Sequence, residues 1–127
     1  MSEPDLDDIA ALGARAMQII PEHLRAHCRD LVIRVADQAT PEDLAELDID
    51  DPLDLLGLYV GQGRPLRDSW DTGTEPDQVW LYRRPILAYV RETTEPLGHV
   101  VQHVLIHEIG HHFGFSDDDM DRIEADA

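Results

Sequence analysis

A single cysteine, Cys28, stands among the 127 residues, so an internal disulfide is excluded and a disulfide-stapled secreted scaffold is not expected. Long apolar runs are missing too. None approaches the ~20 residues that a membrane span needs, so no membrane partner is expected. Basic residues are scarce, with 10 Lys and Arg against 27 Asp and Glu and a formal net charge of -17. Such a surface repels phosphate backbones, which argues against nucleic acid as a partner. The opening stretch MSEPDLDDIAALGARAM is acidic where an export signal is basic. Together with the one thiol, this makes a reducing cytoplasm the expected setting. Repeats and low-complexity linkers are absent. Gly57, Gly61 and Gly63 match neither phosphate-binding glycine pattern, G-x-x-x-x-G-K-S/T or G-x-G-x-x-G. With 43% hydrophobic residues, 1–127 is expected to form one domain around one core.

What is present alternates between helical and strand-like patterns. Asp5 is placed to cap a helix whose apolar positions Leu6, Ile9, Gly13, Ala16 and Ile20 follow helical spacing, with Pro21 as its stop. Leu31 to Ala36 is short and β-branched, and predicts a strand. Thr40-Pro41 predicts a cap and first turn of a short helix through Leu47. Leu55 to Val60 and Val79 to Tyr82 predict two further strands, the last ending near Pro85. Between them lie a turn at Gly61, Gly63 and Pro65 and a loop over Asp68 to Asp77. Pro85 to Arg91 fits helix and strand equally. A final helix is predicted from Leu97 to His112, capped by Thr94, with Val100, Val101, Val104, Leu105 and Ile109 buried and Gly114 as its exit.

That helix carries the chemistry. His107 and His111 are four residues apart and project from one helix face about one turn apart. Two imidazoles so placed can meet one zinc ion at ~2.1 Å each. Glu108, next to the first histidine, can reach a metal-bound water. Zinc lowers the pKa of that water toward neutrality, and a carboxylate can then take its proton as the water attacks a carbonyl. A helix alone supplies no third ligand at the right angle. Gly114 permits the chain to turn back, and Asp117, three residues on, can close a three-ligand site that leaves the fourth position to water.

The stretch His107 to Asp117, HEIGHHFGFSD, resembles the metal motif of the small bacterial zincin-like metallopeptidases. The similarity extends to Leu55-Leu56-Gly57-Leu58-Tyr59 and Leu81-Tyr82-Arg83-Arg84-Pro85-Ile86, and covers the chain from about Leu31 to Asp119. It implies a minimal α+β zincin-like fold, a small mixed sheet against helices with the zinc helix near the carboxyl end. It implies His107, His111 and Asp117 as zinc ligands and Glu108 as base, and names no substrate. The pattern is also similar to the metzincins, but Met120 lies only three residues after Asp117. A separate methionine turn is therefore not expected, and Met120 is expected simply to pack.

Other candidates carry blander expectations. His99 and His103 extend the four-residue stagger, each step turning about 40° round the helix. His99 thus lies off the metal face. His103 is expected to be a partly exposed helix histidine, with a supporting place beside the ligands as its alternative. Asp118 and Asp119 are weaker candidates for third ligand than Asp117. Tyr59, Tyr82, Arg83 and Arg84 are expected in core and surface roles, with stabilisation of an oxyanion as the alternative. The expected function is a zinc-dependent peptidase acting on a peptide or unfolded protein segment along an exposed strand edge, around Leu58 or Leu81. The rival reading is a zinc-binding interaction protein without catalysis. A zinc-dependent ribonuclease is disfavoured by the charge and by Glu108.

Overall fold

A computed structural model of the chain describes residues 3–28, 30–61, 77–114 and 116–125, without the side chains of residues 23, 24, 27 and 117. The turn expected at Gly63 and Pro65 and most of the loop over Asp68 to Asp77 lie outside the described residues.

The first helix, α1 (Leu6–Ile19), starts at Asp5. The Asp5 side chain accepts from the Asp8 N–H at 2.8 Å while the Asp8 carboxylate accepts from the Asp5 N–H at 2.9 Å. Two otherwise orphaned donors are thereby satisfied reciprocally. Its apolar stripe, Ile9, Gly13 and Ala16, is buried, and the chain turns extended at Ile20 ahead of Pro21. A short α2 (Glu22–Arg25) and a 3₁₀ turn, Ala26–Cys28, lead to β1 (Val32–Ala36). In α3 (Pro41–Glu46) the Thr40 hydroxyl accepts from the Asp43 N–H and proline fills the first turn.

A 3₁₀ turn at Pro52–Asp54 precedes β2 (Gly57–Val60); then come β3 (Gln78–Tyr82), α4 (Arg83–Thr93), α5 (Leu97–His112) and α6 (Asp117–Ala125). The sheet has the order β1-β3-β2, with β1 parallel and β2 antiparallel to the central β3. Val79 and Leu81 of β3 are fully buried, and they meet Ile9, Val101, Leu105, Ile106 and Ile109 in the core between sheet and helices. Each such side chain contributes about 1.5–3 kcal/mol on burial, so helix α5 is held mainly by packing. Mixed α+β architecture with a small sheet is what the sequence predicted.

Two local expectations are corrected, an unassigned segment is filled in, and one open alternative is resolved. Pro85 does not end a strand: it sits in the first turn of α4, where its missing N–H costs no helical hydrogen bond. The ambiguous segment Pro85 to Arg91 is therefore helix. Thr94 does not cap α5. It closes α4 in the left-handed region at φ 58°, its N–H bonded to the Val90 carbonyl at 2.8 Å, and α5 begins after Pro96 with no side-chain cap. The acidic end beyond Asp117, for which no element was predicted, is a helix. The Ser116 hydroxyl accepts from the Asp119 N–H at 3.1 Å and the Asp119 carboxylate accepts from the Ser116 N–H at 3.3 Å, a reciprocal cap that starts α6. Leu81 lies on the inner strand, so β2 with Leu58, and not β3, is the edge on that side among the described residues.

Candidate metal centre

The site is built where β2 runs along the carboxyl-terminal half of α5, Gly57 beside Val104 and Gly61 beside His112. Close approach depends on Gly57. A Cβ there would fall 2.6 Å from Val104 Cγ1, 3.0 Å from the Trp80 carbonyl oxygen and 3.4 Å from Glu108 Cγ. Without a side chain at 57, the strand lies directly against the helix turn that carries Glu108. The backbone N–H of Tyr59 donates to the Glu108 carboxylate. Since that N–H is directed at α5, it points off the sheet on the side away from β3.

His107 and His111 lie one turn apart, with ring centroids 5.9 Å apart and planes at 90°. His107 and Glu108 are half-buried and His111 is exposed. Burial holds the Glu108 carboxyl above its ordinary range, while His111 and the Tyr59 N–H pull it back down. A carboxylate so placed is kept basic by partial desolvation and kept oriented by a backbone donor. Beside it opens a cleft of about 290 Å³ lined by Leu55, Leu56, Gly57, Val104, His107 and Glu108, among others.

Beyond His112 the chain exits through Gly114 at φ 76°, a conformation that glycine adopts without a Cβ clash. Asp117 is the first residue of α6. Its side chain lies outside the described residues, and so does its place relative to the histidines. Asp119, an alternative third ligand by sequence, is used in the helix cap.

One grouping went unranked in the sequence. His103 Nδ1 lies 2.8 Å from Glu124 Oε1, and the His103 ring lies against that of His107 with centroids 4.0 Å apart and planes tilted by 33°. The ligand atoms of His103, His107 and Glu124 all lie within 4.8 Å of one another. The signal for His103 was the four-residue stagger. For Glu124 it was the Ser116-x-x-Asp119 cap, which predicts the helix that brings Glu124 back along α5.

The remaining candidates fall elsewhere. His112 stacks on Tyr59 at a centroid distance of 3.9 Å, and its Nε2 is 3.7 Å from Asp77. The Tyr59 hydroxyl donates to Asp77 at 2.7 Å, and burial followed by Asp77 raises its pKa. Tyr82 is buried. Arg83 donates to the Pro4 carbonyl and pairs with Glu3 and Asp37, and Arg84 donates to Gln38, so both are engaged at the surface. Met120 is fully buried, as packing required.

The described donors, two imidazoles one helix turn apart, suit a borderline divalent cation such as zinc. A model of the zincin-like metallopeptidase family matches residues 28–127. The chain belongs to that family. Membership places it among metallopeptidases and implies zinc as the metal. No curated protein matches the chain. Among the described residues, no helix is long and apolar enough to cross a membrane.

Proposed function

We propose that the protein is a zinc-dependent peptidase in which His107, His111 and Asp117 hold the metal and Glu108 is the general base. The observation that supports this most is the placement of Glu108: half-buried, next to one histidine in sequence and near the other in space, and held by the Tyr59 N–H. Bound zinc would supply a polarised water with a pKa near neutrality and a Lewis acid for the carbonyl oxygen. Glu108 takes the proton of the attacking water and then passes it to the leaving amine. Its raised proton affinity favours the first transfer.

The substrate is a peptide or an unfolded protein segment. Strand β2 offers an edge beside α5, and an extended chain would pair with the outward groups that Glu108 leaves open, among them the Tyr59 carbonyl. A single domain over residues 1–127 and a cytoplasmic setting complete the proposal.

The test is Glu108→Gln against a peptide library in the presence of zinc. Zinc should stay bound while cleavage falls by ~10²–10⁴-fold. Equal cleavage by both forms removes Glu108 as base. Cleavage by neither form favours the non-catalytic zinc-binding alternative. Asp117→Ala should weaken zinc binding strongly, and unchanged affinity would move the third ligand elsewhere.

A further inference from the structure

Helices α5 and α6 form an antiparallel hairpin around the exit at Gly114, so residues further back on α5 meet residues further along α6. His103 lies one turn before His107, and Glu124 two turns after Asp117. Both belong to the same seam, on the side away from the helix exit. There His103 Nδ1 approaches Glu124 Oε1 at 2.8 Å, and the ligand atoms of His103, His107 and Glu124 all lie within 4.8 Å of one another, which assembles two imidazoles and a carboxylate. In a tetrahedral zinc site with bonds of 2.0–2.1 Å, ligand atoms stand about 3.4 Å apart. The three donors are therefore within small side-chain adjustments of a zinc geometry. His103 is half-exposed, with room to rotate, whereas Glu124 is only 17% exposed. A largely buried carboxylate facing two imidazoles favours a cation between them.

We propose that His103, His107 and Glu124 form a second divalent-cation site that takes zinc and competes with the His107–His111 pair for His107. Each site draws on one ring nitrogen of His107 with a single lone pair, so an ion held by one set takes that ligand from the other and the two occupancies exclude each other. Zinc held by Glu124 withdraws His107 from the set beside Glu108, and α6 thus selects between a storage position and a hydrolytic one. The second site stands on its own geometry. Only the competition rests on the ligand role proposed above for His107.

Zinc binding to the full chain, read by competition with a chromophoric chelator and by the visible spectrum of the Co²⁺ form, tests this without reference to activity. The His111→Ala chain should still bind one zinc, through His103, His107 and Glu124. Adding Glu124→Gln, or His103→Ala, to His111→Ala should weaken that binding at least tenfold. Equal affinity of His111→Ala and His111→Ala/Glu124→Gln, or no binding by either, overturns the site. His111 is exposed, so its removal leaves the core intact, and circular dichroism of each variant checks this. Competition is read separately, with His111 present. Glu124→Gln should keep a stoichiometry of one zinc and lose the Co²⁺ spectral component that His111→Ala retains. A wild-type spectrum without that component, or a stoichiometry of two, overturns the competition. Failure of the peptidase proposal shows instead as absence of cleavage by every form, and leaves these binding results unchanged.

Discussion

The cleft of about 290 Å³ between Leu55–Gly57 and the His107–Glu108 turn, and the cleft of about 370 Å³ between α3, Leu58–Gly61 and His112, share one strand and one helix. Each has a glycine of β2, or just after it, pressed against α5: Gly57 under Val104 and Glu108, Gly61 under His112. Each has a histidine of the same helix. The larger one takes its carboxylates, Asp43 and Glu46, from α3 and not from α5, and its histidine is committed to a stack on Tyr59 and to Asp77. The smaller one has a carboxylate held by a backbone donor beside two histidines on one helix face. His111 and His112 are adjacent in the chain, yet a step of about 100° round the helix sends His111 to the side of His107 and His112 to the stack on Tyr59. Helix phase, and not size, therefore separates the proposed site from the other cleft.

The contrast breaks or sharpens most directly at those two histidines. His111→Ala should weaken zinc binding about tenfold, to the affinity of the His103–His107–Glu124 site alone, while His112→Ala changes it less than about twofold. Equal losses in a chelator competition assay would erase the division between the clefts. The two glycines come next. Gly57→Ala forces a Cβ against the Trp80 backbone and Val104 and should cost about 1–3 kcal/mol of stability in denaturant melts. Gly61→Ala meets chiefly the His112 ring, a side chain that can turn away, and should cost less than about 1 kcal/mol. A larger loss at 61 would mean that the strand–helix seam is tighter on the side without the base.

A smaller effect is expected at Tyr59→Phe, which removes the hydroxyl bonded to Asp77 and should cost about 0.5–1.5 kcal/mol. Its pH dependence has a definite sign. The folded state raises the Tyr59 pKa above its ordinary 10.0, first by burial and then through Asp77. The stability this contributes is complete below pH 10.0 and is lost as pH rises through the folded value. Thermal melts of wild type and Tyr59→Phe should therefore converge in strong alkali, and a constant gap would refute the linkage. The mildest effect concerns Cys28, which both clefts leave untouched. Burial, with Asp77 adding, raises its pKa. Alkylation in the native protein should run at least ~10-fold slower than in denaturant, and equal rates would contradict its buried place.

Much of the fold was legible because local signals were strong. Asp5 with Asp8, Thr40 with Pro41, and Gly114 each satisfy or terminate helix ends through bonds within a few residues. The apolar spacing of α5 was legible for the same reason, since Val100, Val101, Val104, Leu105 and Ile109 are all buried. The missed elements have equally local explanations. Thr94 looked like a helix start, but its left-handed backbone finishes α4. The acidic composition of Asp117 to Asp121 obscured a helix that the Ser116–Asp119 cap begins. His103 and Glu124 are twenty-one residues apart in the chain, and no spacing rule pairs them.

The sequence by itself determined the helix phase of His107, Glu108 and His111, because a 3.6-residue period admits no other relation among them. It also determined the glycine exit, because few residues but glycine adopt φ 76° without strain. Only the tertiary structure decided that β2 and not β3 is the edge beside the site. Strand order depends on which faces the helices bury, not on any one strand. It alone brought the Tyr59 N–H to Glu108 and Glu124 to His103, since both contacts arise where separate elements pack.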